Sequence, residues 1–293
     1  MRVTQTMIAD RSLRNISQGY SRLGELQDQL STGKKITRPS DDPVVAMKGI
    51  AYRTNLTEVE QYQRNLSELY SWIENSEDGL DHANSALAQV RDLVLRGKNG
   101  SLSPEDQQAI ADELSQIKED LISVANTKVA GKYIYNGTAI DEAPVNAGPP
   151  IVANINTDAF NISVSNGVEM KANINADNVF SQALFDTIQD IEDSLNGLAS
   201  GSGDFDTLLD EVDGHLDSLS AERSELGARY NRVELVEDRL AQQELIATKI
   251  LSDNEDVDLE RVIIDLTVQE SVHRAALSVG ASIMQPTLMD FLR

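Results

Sequence analysis

A helical stripe with a seven-residue repeat, written twice and far apart, limits this chain more than any other feature. From Tyr52 the steps run three and four without a break: Tyr52, Asn55, Val59, Tyr62, Leu66, Leu69, Ile73, Ser76, Leu80, Ala83, Leu87, Val90 and Val94. A second run steps the same way through Leu209, Val212, Leu216, Leu219, Arg223, Leu226, Tyr230, Val233, Glu237, Leu240, Glu244, Ala247 and Leu251. Seven-residue spacing keeps one narrow seam facing a partner helix, so both runs read as coiled-coil segments. At 1.5 Å rise per residue each rod is roughly 65–75 Å long. Asn55, Ser76, Arg223, Glu237 and Glu244 interrupt the seams. Either the Arg and Glu stems lie along the seam edge with their charges in water, or these residues set the register between antiparallel rods.

Composition agrees with narrow seams. Of 293 residues 40% are hydrophobic but only 4% aromatic, which suits helix seams better than one thick core. The net charge of −23 argues against nucleic acid or an anionic membrane as partner. Residues 1–43 differ, with seven Lys or Arg against five Asp or Glu. The chain has no cysteine, which excludes disulfides and thiolate chemistry. No apolar run approaches the length of a membrane span. The opening MRVTQTMIADRS lacks the apolar core of a Sec signal, so export, if it occurs, is expected by another route.

Read in order, the chain leaves and returns. Residues 3–32 form an amphipathic helix with Leu13, Ile16, Tyr20, Leu23 and Leu30 on one side and no partner in adjacent sequence. Residues 31–43 are aperiodic and broken by Gly33, Pro39 and Pro43; Pro43 suits the first turn of the next helix, with Asp41 or Asp42 as its cap. The first rod ends near residues 96–100, and a third helix starts at Ser103-Pro104. From about Gly131 the pattern turns to Asn-rich alternation. A three-residue loop, Ser165-Asn166-Gly167, would put Phe160, Ile162 and Val164 on the same face as Val168, Met170, Ala172 and Ile174. The second rod begins near Phe205, and the acidic stretch 253–258 reads as a solvated hinge before a last helix over about 258–284. An apolar tail follows, with Leu288, Phe291 and Leu292. It either folds back or is left for an identical neighbour; the unpartnered first helix favours the second reading.

The expected fold is therefore mainly α with a small β insert, its long antiparallel rods supplied by the two halves of the chain. Terminal helices and hinges occupy 1–43 and 253–293, the rods 44–130 and 204–252, and the β-rich outer insert 131–203. The predicted assembly face is Leu13, Ile16, Tyr20, Leu23 and Leu30 with Ile263, Leu266, Leu277, Met284, Leu288, Phe291 and Leu292.

Positive signs of chemistry are missing. An EF-hand reading of the acidic stretch puts Val257 and Asp258 where a ligand and a glycine belong. His82, His215 and His273 are isolated, and there is no phosphate loop or nucleophile motif. Five Asn-x-Ser/Thr sequons, at Asn15, Asn55, Asn65, Asn136 and Asn161, fall mostly on helices and are read as chance. No enzyme, metal or cofactor is indicated.

Two segments carry a resemblance. Ser31-Thr32-Gly33-Lys34-Lys35-Ile36, continuing through Pro39-Ser40-Asp41-Asp42-Pro43 to Ala46, resembles the hinge after the first helix in the flagellin family. The run Glu222–Arg232 is similar to that family's second-rod motif, with Arg223, Leu226, Gly227, Asn231 and Arg232 matching. The likeness covers roughly 1–140 and 205–293, and the insert matches poorly. Pro-Ser-Asp-Asp-Pro at 39–43, Ala130–Thr138 and the ending 275–292 favour the family's hook-associated branch over filament subunits.

This resemblance implies a structural protein of the bacterial flagellum at the hook–filament junction, exported through the flagellar type III apparatus. Its implied partners are itself in a ring or helical assembly, the first hook-associated protein, flagellin, and a cytosolic chaperone on the C-terminal helix. A flagellin is the alternative within the family, and a type III secreted needle-tip or translocator protein the alternative outside it.

Overall fold

The computed structural model describes residues 5–98, 103–148, 150–197 and 204–284. Six α-helices dominate them: α1 (Gln5–Thr32), α2 (Pro43–Gly97), α3 (Pro104–Ala125), α4 (Gln182–Leu195), α5 (Phe205–Glu255) and α6 (Leu259–Met284). The chain forms two compact units, one from residues 1–58 and 243–293, the other from 59–242; α2 and α5 contribute to both.

In the second unit the sequence seam is a real core. From Val59 onward the α2 seam is buried, except for the half-buried Tyr62; Leu69, Leu80, Val90 and Val94 are wholly so. On α5, Val212, Leu219, Leu226, Val233 and Leu240, every seventh residue, are 0–1% exposed. Of the polar seam residues, Arg223 and Glu237 tie α5 to α2 across the seam. Ser76 is buried with its hydroxyl unpaired, while its carbonyl accepts from the Tyr135 hydroxyl at 3.0 Å. Arg223 binds Glu77 at 2.6 Å and Asp81 at 3.0 Å, and Tyr70 donates to Glu237 at 2.7 Å. With Arg91 on Asp213 at 2.6 Å, these ties form an antiparallel ladder. A one-turn slip would break every rung at once, which specifies register.

The third helix starts as its sequence requires. Ser103 caps α3, with Asp106 completing a capping box and Pro104 in the first turn.

The insert departs from expectation in two ways. β structure begins slightly earlier than expected, and the described residues from 128 onward hold six short strands: β1 (Lys128–Val129), β2 (Lys132–Tyr133), β3 (Val145–Asn146), β4 (Val152–Ala153), β5 (Asn161–Ser165) and β6 (Val168–Lys171). They pair as three separate antiparallel ribbons rather than one sheet. The expected three-residue hairpin loop is instead a two-residue turn. Ser165 pairs with Val168 around Asn166-Gly167, with Gly167 at φ +70°. A one-residue register shift between Ser163 and Ser165 supplies the missing step, so Ile162, Val164 and Met170 are still buried together.

The second departure is α4, a helix within the segment expected to be β-rich. Leu184, Ile188, Ile191 and Leu195 form a helical stripe that is buried along with Phe185, and α4 packs on α3. Trp72 on Phe160, with ring centroids 5.1 Å apart, and the Tyr135 hydroxyl on the Ser76 carbonyl join the insert to the helical core, while Tyr135 on Phe180 packs within the insert.

Candidate assembly site

The first unit is built differently. α1 and α6 run antiparallel and closely packed, so the stripe expected to lack a partner within the chain has one. The seam on α6 is Val262, Leu266, Gln269, His273, Ala276 and Gly280, and on α1 Ser12, Ile16, Gly19, Leu23 and Leu26. Several of these are small or polar. The helices approach so closely that a side chain on Gly280 would lie 3.1 Å from Ile16 Cδ1. Gln269 donates to the Gly19 carbonyl at 3.2 Å, and the Tyr20 and His273 rings lie 6.0 Å apart.

That thin seam divides the predicted interface residues. Ile16, Leu23 and Leu266 lie half-buried on it, whereas Leu13, Tyr20, Leu30, Ile263 and Leu277 remain exposed. Met284 closes α6, but its side chain, like Leu288, Phe291 and Leu292, lies outside the described residues. Sequence reasoning also missed residues here. Ile264, Val268 and Val272 repeat every fourth position on the outer face of α6 and are 62%, 56% and 54% exposed. Val44, Met47 and Ile50 on α2 and Leu245, Ile246 and Ile250 on α5 are exposed as well. The signal for the α6 stripe was a second apolar period beside the first. A helix with two apolar stripes has one more face than a single partner can cover.

The hinge between α1 and α2 closes against the end of α5. Gly33 ends α1 in the left-handed region at φ +68°, where glycine is unstrained. Its carbonyl accepts from Val257 N–H at 2.9 Å, and Lys35 N–H donates to the Glu255 carbonyl at 2.7 Å. Asp41 receives the Arg38 amide at 2.9 Å, which holds its carboxyl below the usual range. Asp42 caps α2 by accepting from Val44 and Val45 N–H at 2.9 and 3.1 Å, with Pro43 at the first helical position. Pro39 lines an adjoining cleft.

At the centre of this junction is Glu255, a buried carboxylate gripped by Lys34 and Arg53, each at 2.6 Å. Burial pushes its pKa up, but the hydrogen bonds and charges of Arg53 and Lys34 outweigh burial and hold it below the ordinary value. Gly49 makes room for it, since a side chain there would meet Glu255 Oε1 at 2.6 Å. The expectation of a solvated acidic hinge at 253–258 is thus corrected. α5 continues to Glu255, and the bend is a clasp between distant parts of the sequence. Nothing local to residues 253–258 marks Glu255 as the buried carboxylate among its acidic neighbours.

The rod motif is also divided. Arg223 and Leu226 serve the second unit's own packing, while Gly227, Asn231 and Arg232 face outward. A side chain on Gly227 would meet nothing within 4 Å.

Charge separates the units further. Residues 1–58 and 243–293 hold 13 Lys or Arg against 15 Asp or Glu, and 59–242 hold 12 against 33. The first unit is nearly neutral and exposes many large apolar side chains; the second is strongly acidic. Among the described residues, no group of three or more His, Asp or Glu is placed to hold a metal ion, and no helix is long and apolar enough to cross a membrane.

Residues 3–139 match the model of the bacterial flagellin N-terminal helical region. Flagellar hook-associated protein 3 of Escherichia coli K12 is 23% identical over 94% of this chain and 95% of its own length. A flagellin of Bacillus subtilis is 26% identical over 97% of both. Among solved structures, a putative flagellar hook-associated protein from Vibrio parahaemolyticus superposes with a TM-score of 0.66 at 24% identity, covering 74% of this chain and all of that one.

Proposed function

We propose that this chain, which belongs to the flagellin-like family, is a structural component of the bacterial flagellum that forms the junction between hook and filament. The apolar outer face of the α1–α6 pair carries this reading. Burying half of a Leu or Ile side chain is worth on the order of 1 kcal/mol, so six such residues supply several kcal/mol per subunit before the cost of association. Inside an assembled tube that surface is covered by copies and neighbours. In a free subunit it is held on a thin seam that cannot keep itself dry. The acidic second unit keeps free subunits apart in solution.

The junction position rests on the hinge Pro39-Ser40-Asp41-Asp42-Pro43 and on the hook-associated relative that matches nearly end to end. The neighbours would be the first hook-associated protein on the hook side and flagellin on the filament side. Export through the flagellar type III apparatus, with a cytosolic chaperone on the C-terminal helix α6, belongs to the same reading. So do placement of the α1–α6 pair in the inner tube and the insert outside, and the absence of catalysis. The end-to-end match to a flagellin favours one second reading, the filament subunit itself.

Deleting the gene in its motile host separates these readings by electron microscopy and an assay of the medium. Hooks without filaments, with flagellin shed as monomers, are expected of a junction component. Hooks without filaments and no flagellin anywhere would mean the filament subunit, and unchanged filaments would contradict both.

A further inference from the structure

The cleft beside the Glu255 clasp combines features that the clasp does not use. Its floor is apolar, with Ile36, Val45 and Ile50, and its rim carries Lys34, Arg38 and Arg53. Glu255 is the lone carboxylate among the lining residues and already serves Lys34 and Arg53, so Arg38, whose charge meets only that of its near neighbour Asp41, is the cation left at the rim. Arg38 makes no salt bridge among the described residues. Ile50 is 65% exposed, and Met47 and Val44 extend the apolar floor outward. An apolar cleft with a cationic rim suits an apolar strip flanked by carboxylates.

The second unit presents such a strip. A groove of about 600 Å³ between α2 and α5 has Ile73 and Leu226 at its base and Tyr230 on its wall. Glu74 and Asp78 line it with no Lys or Arg within ion-pair distance among the described residues, since Arg223 is taken up by Glu77 and Asp81; Asp78 has only its exposed helix neighbour His82, at 3.9 Å. Gly227 opens the groove edge where a side chain would meet nothing. A glycine inside an exposed helix costs about 1 kcal/mol relative to alanine, and packing within the monomer does not explain it. Close approach by another chain does.

We propose that the hinge cleft is a docking site for the α2–α5 groove of a second copy, with Arg38 set against Glu74 and Asp78. The patch on one copy then meets a different patch on the next. Such a head-to-tail contact repeats around a ring or along a helix, whereas a two-fold contact stops at a dimer. It adds a charge-specific contact to the non-directional burial of the α1–α6 pair, which fixes how neighbours are staggered. The inference rests on the assembly reading above.

The test uses the full chain in a motile host lacking its own copy, and exploits the absence of cysteine. Ser40→Cys at the cleft and Asn231→Cys in the groove, both at exposed positions, are carried on separate co-expressed chains, and isolated flagella are treated with a short bismaleimide. A covalent dimer that needs both cysteines is expected. Filament-bearing hooks should fall at least tenfold with Arg38→Glu, fall likewise with the Glu74→Lys and Asp78→Lys pair, and recover when all three changes share one chain. Filaments restored by the parent chain, but without dimer and without response to charge reversal, would overturn the contact and leave the junction reading standing. Failure of the parent chain to restore any filament would overturn that reading, and the contact with it.

Discussion

Two antiparallel helix pairs in this molecule follow the same seven-residue step and reach opposite outcomes. In the second unit the α2 and α5 seams are filled by Leu, Ile and Val that are almost wholly buried, and ion pairs fix the register. In the first, α1 and α6 meet over a seam where Gly19, Gln269, Ala276 and Gly280 interrupt Ile16, Leu23, Val262 and Leu266, most of it only half-buried, and further bulky apolar residues point outward. The repeat determines that a helix will have a partner. The volume of the residues on the seam determines whether the partnership suffices, because stabilisation scales with the apolar area removed from water. One pair buries its apolar seam within the chain; the other leaves much apolar surface exposed.

The largest expected effect separates the two pairs by the same kind of truncation. Leu69→Ala, at a wholly buried seam position, should destabilise the second unit by about 3 kcal/mol. Ile264→Ala, at a largely exposed one, should change the stability of the free chain by no more than about 0.5 kcal/mol. Denaturant titration checks both, and equal losses would erase the distinction.

Next in size is the clasp. Glu255→Ala leaves Lys34 and Arg53 without their shared carboxylate, but both cations reach solvent, so about 2 kcal/mol is expected rather than the full cost of breaking a buried pair. Amide exchange should rise in α1, α6 and the hinge and stay unchanged in α2 from Leu66 onward. The same carboxylate sets a pH dependence. Its pKa in the folded state lies below the unfolded value. Its stabilisation is therefore complete above the unfolded carboxylate range and is lost as pH falls through the folded value. Acid titration should loosen the hinge amides of the parent chain but not those of Glu255→Gln.

The smallest effects contrast two glycines in the second unit. Gly227→Ala should be neutral or stabilise by up to about 1 kcal/mol, because a side chain there meets nothing. Gly79→Ala should destabilise, because its Cβ would fall 2.1 Å from the Tyr135 hydroxyl. Thermal melts of the two variants should move in opposite directions or differ clearly in size.

Much of this was legible in the residues. The α2 seam positions from Val59 to Val94, every seventh α5 position from Val212 to Leu240, the Ser103 cap of α3 and the Asp42-Pro43 start of α2 follow from period and capping chemistry alone, whereas Tyr230 and Glu237 of the α5 stripe are exposed. Helix α4 falls inside the segment 131–203 expected to be β-rich, although Leu184, Ile188, Ile191 and Leu195 step as a helix. The hairpin's faces were legible but its turn was not, since a bulge and a longer loop change the phase equally. The Glu255 clasp joins Lys34 and Arg53 across some 200 residues of chain. No local pattern encodes that pairing, nor the choice of which apolar stripe on α1 and α6 faces inward.

Hydrogen exchange of the chain, free and in isolated flagella, tests the central claim most directly. The account predicts that amides of the second unit are strongly protected in both states. Those of α1 and α6 should exchange orders of magnitude faster in the free chain and become protected on assembly. Equal protection of α1 and α6 in the two states would contradict it, because the terminal pair would then be complete without neighbours.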